Sequence, residues 1–287
     1  MSDAKIPIIK LRDLDLSSYP VDKIAQIMDE FGLFGVIKLT LFEGRIIIRA
    51  RPNERNLSFQ HISDLTYKPE KYNKEFQRAS IPNKSMFYGC FVPDNVGEGE
   101  LDDARLAAVF ETSRLYRKNI KDGEEIITLS YWMVKNDIPL IAIVYHEDFI
   151  DNSSYTKELF VAYQDFLLKN SRDTAKSSRL ITDYIANEFA KKEIFHDFDY
   201  LISAIFTKRI LDQGLAGVFY PSVRTEGKLF NVAIHPNFVK NNLIIDYVSE
   251  YTIRRKNNEM RLDINSTTHI EPGQTEFVLT PYGTTNQ

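Results

Sequence analysis

Two arginines stand two residues apart at the end of the β-branched run Ile46-Ile47-Ile48-Arg49-Ala50-Arg51. Side chains alternate along a strand, so Arg49 and Arg51 point to the same side of their sheet. A guanidinium grips a carboxylate or phosphate through two parallel hydrogen bonds. At a strand end, its ordinary use is a solvated or salt-bridged cation. In the helical segment DARLAAVFETS, Ala104, Ala107, Ala108 and Glu111 fall at i, i+3, i+4 and i+7 and share one face. A carboxylate on a small-residue face, with no basic residue at Ala107 or Leu115, is an unusual placement and marks a candidate acid or anionic stabiliser. Tyr88 lies in the apolar strand SMFYGCF, where a core tyrosine with one satisfied hydroxyl is the plain reading. Arg78 precedes the proline-containing turn of QRASIPNK. Finally, GVFYPSVRTEG carries an aromatic strand up to Pro221 and then presents Ser222. Proline lacks the N–H that a central strand donates, so the strand ends or bulges there.

Several chemistries have no foothold. The five histidines, His61, His146, His196, His235 and His269, are scattered and form no H-E-x-x-H or Cys/His array, so no metal site is expected. No G-x-x-x-x-G-K-[ST] is present, and the Gly97-Glu98-Gly99 loop carries an acid where a phosphate would bind. Ser222 lacks the G-x-S-x-G setting of a nucleophile elbow. Net charge is −4 and the pI is near 5.8, so no basic footprint points to nucleic acid. Hydrophobic residues make up 43% and charged residues 26% of 287, an ordinary globular balance. No apolar run has bilayer-spanning length and the first residues, MSDAKIPIIKLRD, carry no leader-like core. With Cys90 as the single cysteine, a cytoplasmic setting without disulfides or membrane is the expectation.

The elements that position these residues alternate between two periods. Residues 20 to 31 have helical spacing, and GVIKLTLFEGRIIIRARP reads as two extended segments broken at Glu43-Gly44. A hairpin is expected in ITLSYWMVKNDIPLIAIVYHEDF, turning at Lys135-Asn136-Asp137. Tyr155 to Lys169 and Ser178 to Asp212 are mostly helical, with a break near Phe195 to Phe198. The strand GVFYPS is followed, after the Glu226-Gly227 turn, by LFNVAIHP. A second hairpin is expected around Asn257-Asn258. Strands and helices are mixed without repeats or a clear linker, which predicts a single α+β domain.

The motifs RARP (Arg49 to Pro52), QRASIPNKSMFYG (Gln77 to Gly89), AAVFE (Ala107 to Glu111) and GVFYPSV (Gly217 to Val223), in this order, resemble the RES domain. That family is named for its Arg, Glu and Ser. The resemblance covers about Arg45 to Pro236 and includes the helix YLISAIFTKRILDQGLAG. It departs at Gln77, Ser80 and Gly89-Cys90, and in the length of the acid-rich loop from Pro93 to Asp103. It implies an ADP-ribosyltransferase-like mixed or split β-sheet flanked by helices. It divides the chain into an N-terminal embellishment (1–44), a catalytic domain (45–236) and a C-terminal hairpin and tail (237–287).

The activity so implied is cleavage of the nicotinamide–ribose bond of NAD by hydrolysis or phosphorolysis, as a bacterial toxin or defence effector. NAD is then a substrate, no resident cofactor or metal is needed, and inorganic phosphate and an antitoxin protein are the implied partners. Glu111 would stabilise the sugar cation and orient water or phosphate. Arg49, or Arg51 on the same face, would bind pyrophosphate. Tyr88 would stack on nicotinamide or bond to the ribose, and Ser222 would fix the amide or the ribose. Arg78 and Asn231 are further binding candidates, and the acid-rich loop reads as a solvated loop, with a lid or antitoxin contact as the alternative. Two other readings remain open: ADP-ribose transfer to a macromolecule, and a catalytically silent RES-fold binding protein.

Overall fold

The computed structural model describes residues 4–54, 57–93, 100–144, 146–257 and 259–283, and the side chains of 100–102 are outside the description. Asn56, Asn258 and residues 94–99 of the acid-rich loop therefore lie outside it. The helices are α1 (Lys5–Arg12), α2 (Val21–Asp29), α3 (Ile62–Leu65), α4 (Glu100–Thr112), α5 (Arg114–Arg117), α6 (Ser154–Leu168), α7 (Arg172–Phe189), α8 (Leu201–Asp212) and α9 (Pro236–Asn242). The strands are β1 (Ile37–Leu41), β2 (Ile46–Pro52), β3 (Phe87–Phe91), β4 (Gly123–Val134) and β5 (Ile138–Ala142), followed by β6 (Gly217–Pro221), β7 (Phe230–Ile234), β8 (Leu243–Lys256), β9 (Glu259–His269) and β10 (Thr280–Pro281). The fold class is α+β, with both parallel and antiparallel strand pairs.

The chain gathers into two compact units, each assembled from three segments. The first comprises Met1–Thr40, Lys68–Met86 and Pro139–His235. Its strands run in the order β1-β5-β6-β7, with β5 parallel to β6 and β6 antiparallel to β7. Its core holds Ile24, Ile27 and Met28 of α2, Ile181 and Ile185 of α7, and Val218 and Phe219 of β6, all nearly inaccessible to solvent. These positions recur every three or four residues in the helices, the spacing that buries one face. Ser153 opens α6 with a capping box, its hydroxyl accepting from the Thr156 N–H while Thr156 Oγ1 accepts from the Ser153 N–H.

The second unit comprises Leu41–Tyr67, Phe87–Ile138 and Pro236–Gln287. Its strands follow the order β3-β2-β4-β8-β9-β10, and each neighbouring pair is antiparallel. The β8–β9 hairpin forms as expected, from Tyr247↔His269 to Lys256↔Glu259. The expected hairpin at Lys135-Asn136-Asp137 does not form. β4 pairs with β2 on one edge and β8 on the other, while β5 pairs with β1 and β6. The local turn signal is real, but twelve residues of pairing with β8 outweigh a five-residue return strand. Also unforeseen is α1, where Pro7 sits in the first helical turn and so removes no internal hydrogen bond.

β6 accommodates its proline by register. The Ser222 N–H donates to the Leu229 carbonyl at 2.7 Å, so Tyr220 and Ser222 address β7 while Pro221 turns its nitrogen the other way. On that side the ladder with β5 has already ended, at Ala142↔Phe219 and the Ile143 N–H to Phe219 carbonyl bond. The missing donor therefore coincides with the end of that ladder. Gly217, at the other end of β6, has φ +150, and a Cβ there would lie 1.9 Å from the Ala233 carbonyl oxygen. Gly217→Ala is therefore expected to lower unfolding free energy by roughly 2–4 kcal/mol through backbone displacement. Urea denaturation checks this, and an unchanged midpoint would refute the close approach.

Candidate functional site

β2 determines what the second unit can present. Ile47↔Trp132 and Arg49↔Ser130 are cross-strand partners, so Ile47, Arg49 and Arg51 share a face with Thr128, Ser130 and Trp132. Phe87 meets Trp132 edge-on at 5.4 Å on that face. The Arg49 guanidinium lies 5.4 Å over the Phe87 ring, and its Nη1 donates to the Tyr88 carbonyl at 2.7 Å. Its Nε is buried and has no hydrogen-bond partner. Burial lowers the Arg49 pKa to about 10, the neighbouring Arg51 cation lowers it too, and Tyr88 acts weakly in the opposite sense. At neutral pH Arg49 is still a cation. Arg51 donates to the Asp64 carbonyl and lies 4.9 Å over Phe59. Among the described residues, neither arginine has a carboxylate in ion-pair contact.

A polar row continues across this face. Arg51 is opposite Thr128, which is opposite Glu250. Thr128 Oγ1 donates to Asn53 Oδ1 and Asn53 Nδ2 donates to Glu250 Oε2, both at 2.8 Å. Trp132 Nε1 donates to Ser130 Oγ at 2.9 Å. Asn53, Thr128, Ser130 and Glu250 are all buried. The sequence reading missed these four. Their only signal was polar residues at period two in ITLSYWMV, together with Asn53 after Pro52 and Glu250 in a strand otherwise fit for burial.

Glu111 belongs to the other face of the same strands. Ala104, Ala107 and Ala108 are buried and bring α4 close against β2 and β3. Arg105 Nε donates to Tyr131 Oη at 2.6 Å, and Tyr131 is opposite Ile48. Ile48 is in turn opposite Cys90. Burial pushes the Cys90 thiol pKa far up, and the nearby Glu111 carboxylate adds to the rise. The half-buried Glu111 is therefore near Cys90, on the side of the sheet that α4 covers. Tyr88, two residues from Cys90 on β3, directs its side chain to this same face while its carbonyl holds Arg49. Within this unit the structure thus brings Tyr88 to both partners, with Glu111 and Arg49 leaving the sheet on opposite faces.

The remaining candidates belong to the first unit. Ser222 is fully buried, and its Oγ accepts from the Thr225 N–H at 3.4 Å. Asn231 is buried on β7 opposite Tyr220. Arg78 donates to the Phe189 carbonyl and, at 3.1 Å, to the Lys191 carbonyl, with Tyr200 5.4 Å from its guanidinium. That arrangement ties the Arg78 turn to the C-terminal end of α7, so its donors serve the fold.

No protein-family model matches the chain, and no curated protein matches it. The likeness to the RES domain rests on the motif residues themselves. No group of three His, Cys, Asp or Glu among the described residues is placed to hold a metal ion. Among those residues, no helix is long and apolar enough to cross a membrane.

The burial and raised pKa of Cys90 make its thiol a poor nucleophile, since the thiolate is the reactive form. Native protein at pH 8 is expected to resist iodoacetamide for hours and to be labelled rapidly in urea, as read by mass spectrometry. Fast native labelling would show that the Cys90–Glu111 layer opens.

Proposed function

We propose that this protein breaks the nicotinamide–ribose bond of NAD, with water or inorganic phosphate as the acceptor. The observation that carries the reading is Arg49, a half-buried cation whose Nε donor is buried and idle, with a second guanidinium nearby. A partly desolvated cation with no counter-ion and a spare donor has an anion as its natural complement. The diphosphate of NAD, or free phosphate, supplies one that a planar guanidinium can grip twice.

The chemistry follows from the developing charge. As the C1′–N bond lengthens, its electron pair leaves with nicotinamide and positive charge grows on the ribose. The resemblance assigns the carboxylate of Glu111 to stabilise that charge and to orient the oxygen that bonds to C1′, although Glu111 and Arg49 leave the sheet on opposite faces. With water, a proton is released and ADP-ribose forms; with phosphate, the product is ADP-ribose phosphate. Tyr88 is assigned to nicotinamide or ribose, and Arg51 supports Arg49 by lying on the same face. The resemblance alone assigns Ser222 and Asn231 to the substrate, and an antitoxin to the protein as partner.

Purified protein is incubated with NAD, with and without phosphate, and the products are resolved by NMR. Nicotinamide with ADP-ribose is the expected hydrolytic outcome, and phosphate-dependent ADP-ribose phosphate the phosphorolytic one. ADP-ribose attached to protein would replace cleavage by transfer, and intact NAD would end the proposal. Glu111→Gln is nearly isosteric, and is expected to lower the rate by about 10²–10³ while NAD still binds. A fully active Gln variant would remove Glu111 from the mechanism.

A further inference from the structure

Beyond these residues, the first unit has a depression of about 330 Å³ lined by Lys192, Arg224, Lys228, Glu226 and Thr225. Three cations against one carboxylate is a local reversal of sign in a chain whose net charge is −4. Lys192 faces Glu226 at 3.6 Å, whereas Arg224 and Lys228 have no ion pair or side-chain hydrogen bond among the described residues. Like charges gathered on a solvated loop would normally spread apart, unless the backbone holds them.

Here the backbone does hold them. The Ser222 carbonyl accepts from the Gly227 N–H at 2.9 Å, and the Thr225 carbonyl accepts from the Lys228 N–H at 3.0 Å. Thr225 Oγ1 accepts from the Leu229 N–H at 3.2 Å. Asn152 Nδ2 donates to the Glu226 carbonyl at 2.5 Å. Glu226 and Gly227 adopt positive φ of 53 and 79, and a Cβ on Gly227 would lie 2.7 Å from that of Phe149. The turn is therefore fixed in shape before any ligand arrives. Preorganised cations bind an anion without a large ordering penalty.

We propose that this depression binds a phosphate group, inorganic or carried by a nucleotide, through Arg224 and Lys228, with Lys192 released from Glu226 to join them. Three donors of this kind around a concavity of this size match a diphosphate better than a single carboxylate, which offers two oxygens. The site is independent of the NAD reading.

The test uses the full chain, labelled with ¹⁵N and titrated with inorganic pyrophosphate and, separately, with ADP-ribose. Ionic strength is held constant because exposed charges are screened by salt. The amides of Thr225 and Gly227 are expected to shift and saturate. Tighter saturation by pyrophosphate than by ADP-ribose would identify a free phosphate ligand, and the reverse order a nucleotide. The variant Arg224→Gln/Lys228→Gln, altered only at exposed positions, should weaken binding at least about tenfold. Shifts that fail to saturate with either ligand, or that are as large in the double variant, would overturn the site. Neither result bears on NAD cleavage, which is read from products.

Discussion

A half-buried guanidinium with no carboxylate in ion-pair contact is the constraint on which the polar face of the second unit depends. Arg49 is desolvated enough to lower its pKa to about 10, and a second cation adds to the strain. Its compensation comes from neutral groups, the Tyr88 carbonyl and the Phe87 ring. Those are weaker partners than an ion would be. An acid was within the sequence's means, since Glu250 is on the same face with Thr128 between it and Arg51. It is held by Asn53 instead. The chain keeps this buried acid out of ion-pair contact with its two arginines.

Glu125 shows what a carboxylate with a purely structural task looks like here. It is buried, and accepts from the Ser113 hydroxyl and, at 3.1 Å, from the Arg114 N–H at the start of α5. The Arg114 Nε is 3.7 Å away. A short helix gains an N-terminal acceptor and the carboxylate gains donors, so both ends of the interaction are satisfied. Arg78 is its cationic counterpart, with its guanidinium given to two carbonyls and a tyrosine ring. Against those two, Arg49 keeps a buried Nε that no protein acceptor takes.

What the sequence disclosed depended on whether the controlling interaction was local. Period-two alternation in Ile46 to Arg51 put both arginines on one face, and the i, i+3, i+4, i+7 spacing put Glu111 with the alanines; both follow from geometry within one element. The hairpin at Asn136 failed because its turn chemistry was local while the competing partner, β8, was more than a hundred residues away. The acceptors of Arg78 are backbone carbonyls, which leave no mark in a sequence. The row Asn53–Thr128–Ser130–Glu250 was hidden for a related reason. Each residue is an unremarkable polar position in its own strand, and only the register between β2, β4 and β8 aligns them. Register likewise separates Glu111 from Arg49 by a sheet's thickness, a relation that motif order along the chain does not contain.

The proline before Ser222 shows how one local exception can serve two purposes. Pro221 points its nitrogen to the β5 side, where the ladder stops, and leaves the pairing with β7 intact. The next residue still pairs with Leu229, so the strand ends with Ser222 pinned and buried. From that pinned residue the chain turns at once, with the serine oxygens taking the Thr225 and Gly227 N–H groups. A residue with a longer or apolar side chain would leave the Thr225 donor without that acceptor and would loosen the turn that carries Arg224 and Lys228. Ser222 thus has a structural task whatever its part in chemistry. An alanine there removes an acceptor from the loop as well as a hydroxyl from any substrate, so loss of activity in that variant alone would not distinguish the two. A threonine, which keeps the acceptor and adds one methyl group in a fully buried position, separates them by stability as well as by rate.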